Sequence, residues 1–229
     1  MAEFIIGAPI RWSTRIRAAG LVCAAFVLYS GNSAVRAADF GIFTEASSVG
    51  QTPPGCAVHY NSRTGEYRIT GGGQNMWGKT DDFYFVWKQV SGDLKLTADV
   101  QFLGTSKAEH RKAVLMIRQS LDTDAPYADA VSHGNGLTSL QFRGAPGENT
   151  YQVFTEVNEP ARIRIVRQKS RFTMYAGKPN EELQMVGPVE YVSLKDPVYV
   201  GVGVCSHVAT TLETAVFSNV KLEQGSESK

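Results

Sequence analysis

Five residues in the middle of the chain carry aromatic or planar polar side chains that could reach a ligand: Trp77, Arg118, His133, Gln141 and Arg143. Gln141 and Arg143 alternate along one face of a predicted strand, and His133 heads the turn before it. Aromatic faces pack against the C–H groups of sugar rings, and planar side chains form hydrogen bonds with neighbouring hydroxyls. Together the five predict one binding patch suited to a carbohydrate.

Two of these residues also have a structural interpretation. Trp77 lies in a glycine-flanked loop, and it could equally fill space in the core under a hairpin. Arg118 ends an apolar segment, and it could equally be a buried arginine paired with Asp82 or Asp99. The sequence leaves both alternatives open.

Carboxylate pairs that suit glycoside hydrolysis are not found in the sequence. That reaction normally needs two carboxyl groups, about 5–5.5 Å apart for retention or about 6.5–9.5 Å for inversion. Glu156 and Glu159 flank a predicted strand end, and Asp122 and Asp124 lie in a predicted turn. We interpret both pairs as solvated turn carboxylates. The sequence therefore predicts no catalytic residues and favours a protein that is not an enzyme.

Motifs for a nucleophile, a metal or a cofactor are not found either. His59, His110, His133 and His207 are scattered without the spacing of a zinc site, and no Gly-x-Ser-x-Gly occurs. The acidic turn at 122–124 offers oxygen ligands for calcium, but an ordinary acidic turn is the preferred interpretation. We predict no metal site and no cofactor.

The N-terminus resembles a secretory signal. Arg11, Arg15 and Arg17 precede the apolar segment Ala18–Tyr29, which is too short to cross a bilayer about 30 Å thick. We predict that residues 1–38 are a signal peptide and that no membrane span follows its removal, with a retained anchor as the alternative. The predicted location is secreted or periplasmic. The net charge of +1 gives no reason to expect nucleic acid as a partner.

The remaining chain is expected to form one domain over residues 39–223, with a disordered tail at 224–229. Its two cysteines are Cys56 and Cys205. In an oxidising compartment an even pair suggests a disulfide, while two buried free thiols would serve as small apolar groups. Spacing alone does not decide between them.

The elements that must position these side chains are strands. Phe83, Phe85 and Trp87 share one face of an alternating segment, and we assign them to the core. Leu94 to Val100 alternates in the same way after a Ser-Gly-Asp turn, and Ala113 to Arg118 is apolar enough for burial on both faces. About a dozen such segments follow one another without a helical period. This pattern predicts an all-β, antiparallel sandwich or barrel.

Four segments carry a resemblance to a known superfamily. They are GGGQNMWGKTDDFYFVW at 71–87, SGDLKLTADV at 91–100, KAVLMIRQSLDTDAPYADAVSHGNGLTSLQFR at 112–143, and YVGVGVCSH at 199–207 with AVFSNV at 215–220. The chain resembles the concanavalin A-like lectin/glucanase superfamily. Within it, the segments are most similar to uncharacterised exported domains found with Tol biopolymer-transport periplasmic proteins and at the C-termini of β-xylosidases. The resemblance implies a jelly-roll sandwich of two curved antiparallel sheets whose concave face holds carbohydrate.

These observations predict an exported, non-catalytic, lectin-like domain that binds a polysaccharide or oligosaccharide. One alternative is a sugar-active enzyme, a glycoside hydrolase or lyase, with His133 or His207 as base and Arg118 steadying negative charge. Another is a structural module that presents its convex face to an envelope partner. The sequence does not specify the sugar or the oligomeric state.

Overall fold

The computed structural model describes residues 39–106, 108–154, 161–178 and 180–225, which contain strands and turns and no helix. The sixteen strands are β1 (Glu45–Val49), β2 (Ala57–Asn61), β3 (Glu66–Gly73), β4 (Met76–Trp77), β5 (Thr80–Asp81), β6 (Phe83–Val90), β7 (Leu94–Leu103), β8 (Lys112–Arg118), β9 (Tyr127–His133), β10 (Thr138–Arg143), β11 (Tyr151–Phe154), β12 (Arg162–Gln168), β13 (Arg171–Gly177), β14 (Gln184–Tyr191), β15 (Val198–Cys205) and β16 (Val208–Gln224).

Two seven-stranded antiparallel sheets face each other. The sheet that we call the front sheet has the order β1-β6-β15-β8-β9-β10-β11, and the back sheet has the order β14-β13-β12-β7-β16-β3-β2. A short third sheet pairs β4 with β5. Neighbouring strands are often far apart in sequence, as in β6 beside β15, which is the connectivity of a jelly-roll sandwich. The predicted fold class, an all-β antiparallel β-sandwich, is confirmed.

The main core lies between the two sheets and follows the period of two that the sequence shows. On β7, Leu94, Leu96, Ala98 and Val100 all point into this core, as predicted. On the front sheet the inward positions include all four valines of β15, which occupy every second position from Val198 to Val204. Alternate residues therefore pack between the two sheets, and the remaining residues of each strand point away from the main core.

A second, smaller core covers the outer face of the front sheet. Phe83 and Phe85 are fully buried there together with Met76, Val114 and Met116, and not between the sheets. Alternation puts these residues on the face of β6 and β8 opposite to the main core. The prediction that the two phenylalanines are buried is confirmed, but the core that buries them is an additional one.

Trp87 differs from the sequence-based assignment. It shares the face of Phe83 and Phe85, yet it lies at the rim of the second core and is only half-buried. Its ring packs edge-on against Tyr199, with 4.8 Å between ring centroids, and its Nε1 donates to Ser47 Oγ at 3.1 Å. A strand pattern gives the face of a residue but not how far the covering layer extends.

Close approach across the front sheet explains two glycines of β15. A Cβ on Gly203 would come within 2.9 Å of Phe83 Cδ2, and one on Gly201 would come within 2.9 Å of Phe85 Cε2. The two rings therefore lie over bare backbone, a close approach that glycine in a strand permits.

The covering layer is the β4–β5 hairpin with the turns that hold it. Asp81 N donates to Thr123 O at 2.9 Å, and Thr150 N donates to Gly78 O at 2.8 Å. These bonds connect the hairpin to the turns that follow β8 and β10. The hairpin thus closes over part of the front sheet and creates one wall of a cavity beside it.

Several predictions fall at or beyond the edges of the described structure. Residues 1–38 and 226–229, and the carboxylates Glu156 and Glu159, lie outside the described residues. Gln224 was expected in a disordered tail, but it belongs to β16, which pairs with β7 up to Leu94.

In the part of the chain that is described, no helix has the length and apolar character needed to cross a bilayer. Cys56 and Cys205 are free thiols.

Replacing Gly201 with alanine tests the close packing of the second core. The added methyl group would press on the Phe85 ring and on the β6 backbone, so we expect Gly201→Ala to lower the free energy of unfolding by about 1–3 kcal/mol. Gly144→Ala is the matched control, because its Cβ would meet only the flexible end of Glu148. Urea denaturation measures both, and equal stability of the two variants would contradict this packing.

Candidate functional site

One cavity of about 190 Å³ opens on the outer face of the front sheet, beside the β4–β5 hairpin. Its polar walls are supplied by three amides, three imidazoles and one lysine, and its apolar surfaces by Trp77 and Leu137. The polar residues are Asn75, Gln141 and Gln152, His110, His133 and His207, and Lys112. Pockets for drug-sized ligands measure about 300–1,000 Å³, so this one suits a single small unit or a chain end.

Strand register brings the cavity residues together. Lys112 on β8 lies opposite His133 on β9, and Gln141 on β10 lies opposite Gln152 on β11. All four side chains point away from the main core because the strands alternate. Three hairpin-connected strands and their neighbour therefore form a floor of polar groups on one face.

His133 is held in a defined protonation state. Its Nδ1 lies 2.9 Å from the Leu137 carbonyl oxygen, and because a carbonyl only accepts, Nδ1 carries the hydrogen. Burial, assisted by the charge of Lys112, lowers the pKa of His133 to about 3. The ring is therefore neutral near pH 7, with the lone pair on Nε2 lying 3.5 Å from Gln141 Nε2.

Gln141 connects the imidazole to the next amide. Its Nε2 donates to Gln152 Oε1 at 3.3 Å, while its own Oε1 is buried and has no hydrogen-bond partner among the described residues. A buried amide oxygen without a partner is costly, and because this one has almost no accessible surface, a bound hydroxyl group reaches it only when the side chain turns.

Trp77 forms the exposed aromatic wall. It ends β4 with 40% of its surface exposed. Of the two interpretations that the sequence left open, burial as a core residue is therefore wrong. The ring lies 5.8 Å from Lys112 Nζ, measured from the ring centroid.

Arg118 and Arg143 are placed differently from the predicted patch. Both side chains have no exposed surface, and both pair with Asp81 of the β4–β5 hairpin. Arg143 makes the closer contact, with Nη1 at 2.9 Å from Oδ2 and Nη2 at 2.7 Å from Oδ1, while Arg118 Nη2 is 3.4 Å from Oδ2. The structural interpretation of Arg118 holds, but the partner is neither Asp82 nor Asp99.

The other donors of the two arginines are also used internally. Arg118 donates to the carbonyl oxygens of Ser120 and Asp122, each at 2.6 Å. Arg143 donates to the carbonyl oxygens of Gly78 and Ala125, at 3.2 and 3.1 Å. Neither side chain lines the cavity. Of the five predicted residues, the structure brings Trp77, His133 and Gln141 together and leaves the two arginines beneath the hairpin.

Asp129 lies in the same row as Gln141 and is its direct partner across β9 and β10. Its carboxyl group is fully buried, and neither oxygen has a hydrogen-bond partner among the described residues. Burial raises the pKa of Asp129 to about 8, against the opposing effect of Lys112. Near pH 7 this side chain is mainly a neutral acid.

Sequence reasoning missed Lys112, Asn75, Gln152, Asp81 and Asp129 as contributors. Strand parity is the signal that could have found one of them, because Lys112 shares its face with Arg118, six residues later on β8. The remainder depend on register between distant strands and on where the hairpin settles.

The chemistry of the walls limits what the cavity can do. Among the described residues that line it there is no Asp or Glu, so no carboxylate pair for hydrolysis is found there. Within the same described ranges, no group of three or more His, Cys, Asp or Glu residues is arranged to hold a metal ion. The cavity instead presents an aromatic face, amide dipoles and neutral imidazole nitrogen.

Comparisons with solved structures found several proteins with a similar fold. A functionally unknown protein from Saccharomyces cerevisiae is 15% identical, with a TM-score of 0.62, and the match covers 79% of this chain and 97% of that one. A GH43 protein, BlXynB, from Bacillus licheniformis is 13% identical, with a TM-score of 0.57 and coverage of 82% and 39%. The carbohydrate binding module CBM66 from Bacillus subtilis is 14% identical, with a TM-score of 0.50 and coverage of 80% and 98%.

At identities of 13–15% these likenesses establish the fold alone. No family model matches the chain, and no curated protein matches it in sequence. The chain is therefore a jelly-roll β-sandwich, a fold that it shares with a carbohydrate binding module and with part of a GH43 protein.

Removing the charge of Asp81 tests the buried ion cluster. Asp81→Asn would leave two buried guanidinium groups without a counter-charge, so we expect the free energy of unfolding to fall by about 3–5 kcal/mol. Glu45→Gln makes the same chemical change at an exposed position and should alter stability by less than about 0.5 kcal/mol. Denaturant unfolding measures the free energy of unfolding of both variants. A similar small decrease in the two would show that the ion cluster does not hold the hairpin.

The pKa of Asp129 predicts a pH-dependent stability. Between about pH 4 and pH 8 the folded protein keeps a proton that the unfolded chain releases, so this group makes stability fall as pH rises through that window. Asp129→Asn removes the ionisation. We expect its stability relative to wild type to increase between pH 5 and pH 8, on the order of 1–3 kcal/mol. Unfolding curves at several pH values measure this, and a difference that does not change with pH would contradict it.

Proposed function

We propose that this protein is an exported, non-catalytic carbohydrate-binding domain that holds one sugar unit or chain end in the cavity beside the β4–β5 hairpin. The observation that carries the proposal is the pairing of the exposed Trp77 ring with a floor of planar polar groups in a cavity of about 190 Å³. Aromatic stacking together with amide hydrogen bonds is the combination that sugar rings require.

The polar groups supply both donors and acceptors. The side-chain amides of Asn75, Gln141 and Gln152 line the cavity, and an amide group both donates and accepts. His133 adds a neutral Nε2 that accepts. A hydroxyl is both donor and acceptor, so a polyol satisfies a mixed set of this kind better than a purely apolar ligand does.

The fold gives this proposal background support only. The same sandwich is found in a carbohydrate binding module and in part of a GH43 protein, at identities too low to transfer a function. Export belongs to the proposal as well, and it depends on the predicted signal at residues 1–38. Arg118 and Arg143 are not part of the proposed contact surface, because their donors are used internally.

A sugar-active enzyme is the second candidate, and the three imidazoles that line the cavity are the observation that favours it. A neutral imidazole is a potential base, but a pKa of about 3 makes His133 a weak one near pH 7. His207, whose pKa burial also lowers, is the other histidine suggested for that role. Arg118 cannot take the role suggested for it, since it does not line the cavity. Without a lining carboxylate among the described residues, we rank binding above catalysis.

Trp77→Ala tests the binding proposal directly. We expect the variant to bind its best glycan about tenfold or more weakly, because the stacking face is lost. The measurement is a glycan array with the full chain, followed by affinity electrophoresis and calorimetry on the retained sugars. Tyr191→Ala is the matched control, because Tyr191 is an exposed aromatic residue on β14 in the back sheet.

Three other outcomes would count against binding without catalysis. Retention of no glycan by the wild-type protein would contradict the proposal, as would equal binding by the Trp77→Ala variant. Release of reducing or unsaturated ends from a polysaccharide, abolished by His133→Gln, would replace the binding module with the enzyme.

A further inference from the structure

The buried side chains beside the cavity and beneath the hairpin carry more positive than negative charge. Five lysine, arginine and aspartate side chains lie buried on the outer face of the front sheet, each with at most 3% of its surface exposed: Asp81, Lys112, Arg118, Asp129 and Arg143. Three are cationic and two are carboxyl groups. Asp81 serves both arginines, and Asp129 keeps its proton near pH 7 because burial raises its pKa. Even with Asp129 ionised, the buried set carries more positive than negative charge.

Lys112 is the cation of this set that reaches the cavity. Its Nζ donates to Asn75 Oδ1 at 2.7 Å and to the Met76 carbonyl oxygen at 2.9 Å, and both acceptors are uncharged. An ammonium group has three hydrogens to donate, so one remains. Among the described residues Lys112 makes no ion pair with a carboxylate. Burial lowers its pKa, and the nearby carboxyl groups of Asp129 and Asp81 oppose that shift without pairing with the ammonium group.

The position of the ammonium group within the cavity is fixed by its neighbours. Asn75 and Trp77 both line the cavity, and Nζ lies 2.7 Å from the amide oxygen and 5.8 Å from the ring centroid. The remaining wall holds imidazoles, and the positive field of Lys112 contributes to the lowered pKa of both His133 and His207. A cavity of this kind attracts negative charge and has no described carboxylate in its lining to repel it.

We propose that the cavity selects an anionic sugar unit, a ring that carries a carboxylate or a sulfate group, with the negative group beside Lys112 and the ring against Trp77. This inference rests on the carbohydrate-binding function proposed above and specifies its ligand class. The bound oxyanion accepts the third hydrogen of the ammonium group and balances the buried positive charge. A neutral sugar offers only dipoles to the same cation.

The test compares sugars that differ in charge. Wild-type full chain is titrated by calorimetry with an oligogalacturonate, with the same oligosaccharide after reduction of its carboxyl groups, and with a sulfated galactan oligosaccharide. We expect at least one of the two anionic sugars to bind tenfold or more tightly than the neutral one. The two anionic arms distinguish a carboxylate from a sulfate ester. This comparison needs no variant, so it stands even where a substitution fails to fold.

Lys112→Met keeps most of the length of the unbranched side chain and removes its charge. We expect it to lose at least tenfold in affinity for the preferred anionic sugar, with affinity for the neutral sugar changed by less than threefold. Lys79→Met, at an exposed position in the same hairpin region, is the control for a general charge effect and should behave as wild type. Thermal unfolding verifies that both variants are folded.

The outcomes separate this inference from the proposed function. Binding of the neutral sugar as tightly as the anionic ones, unchanged by Lys112→Met, would overturn the anionic preference and leave carbohydrate binding in place. An equal loss of anionic affinity in Lys79→Met would also overturn the assignment of the anion to Lys112. Binding of no sugar in any arm, together with an empty glycan array, would overturn both.

Discussion

The cavity depends on one buried carboxylate that holds two arginines. Asp81 comes from a two-residue strand of the small hairpin, whereas Arg118 and Arg143 end two strands of the front sheet. The three charged side chains have no exposed surface. The cost of removing them from water is offset because the guanidinium groups also donate to backbone carbonyl oxygens. This contact fixes the position of the hairpin over the sheet. The hairpin in turn carries Asn75 and Trp77 into the cavity wall.

The second core explains why a short hairpin can cover a sheet at all. The outer face of a two-sheet sandwich is commonly solvated, but here β6 and β8 place phenylalanine, valine and methionine on it. The hairpin supplies Met76 to the same cluster, and bare glycine backbone on β15 lets the phenylalanine rings approach the strand closely. Apolar burial and the ion cluster therefore act on the same element. The polar floor begins where this apolar cover ends, at Lys112, His133 and Gln141.

The sequence predicted the fold better than the site, and the reason can be seen in single residues. Alternation along β7 and β10 correctly assigned faces, because the side-chain period of a strand is a local property. The same rule correctly placed Gln141 and Arg143 on one face. Gln141 lines the cavity, however, whereas Arg143 is buried under the hairpin. Trp87 and Trp77 show the converse. Trp87 was assigned to the core, and core burial was one alternative for Trp77. Both lie at the edge of the covering layer, where Trp87 is half-buried and Trp77 is exposed.

By itself, the order of the amino acids determined the strands, the turns between them and the side of each strand that is apolar, since these follow from backbone geometry and local spacing. It also made clear that the usual hydrolytic carboxylates are not found. Only the tertiary structure decided which polar residues meet, because Lys112, Gln152 and Asn75 lie on elements separated by tens of residues and are joined by strand register and by the seating of the hairpin. Burial then set their chemistry: it neutralised His133 and Asp129 and left Lys112 as the cation that faces the cavity.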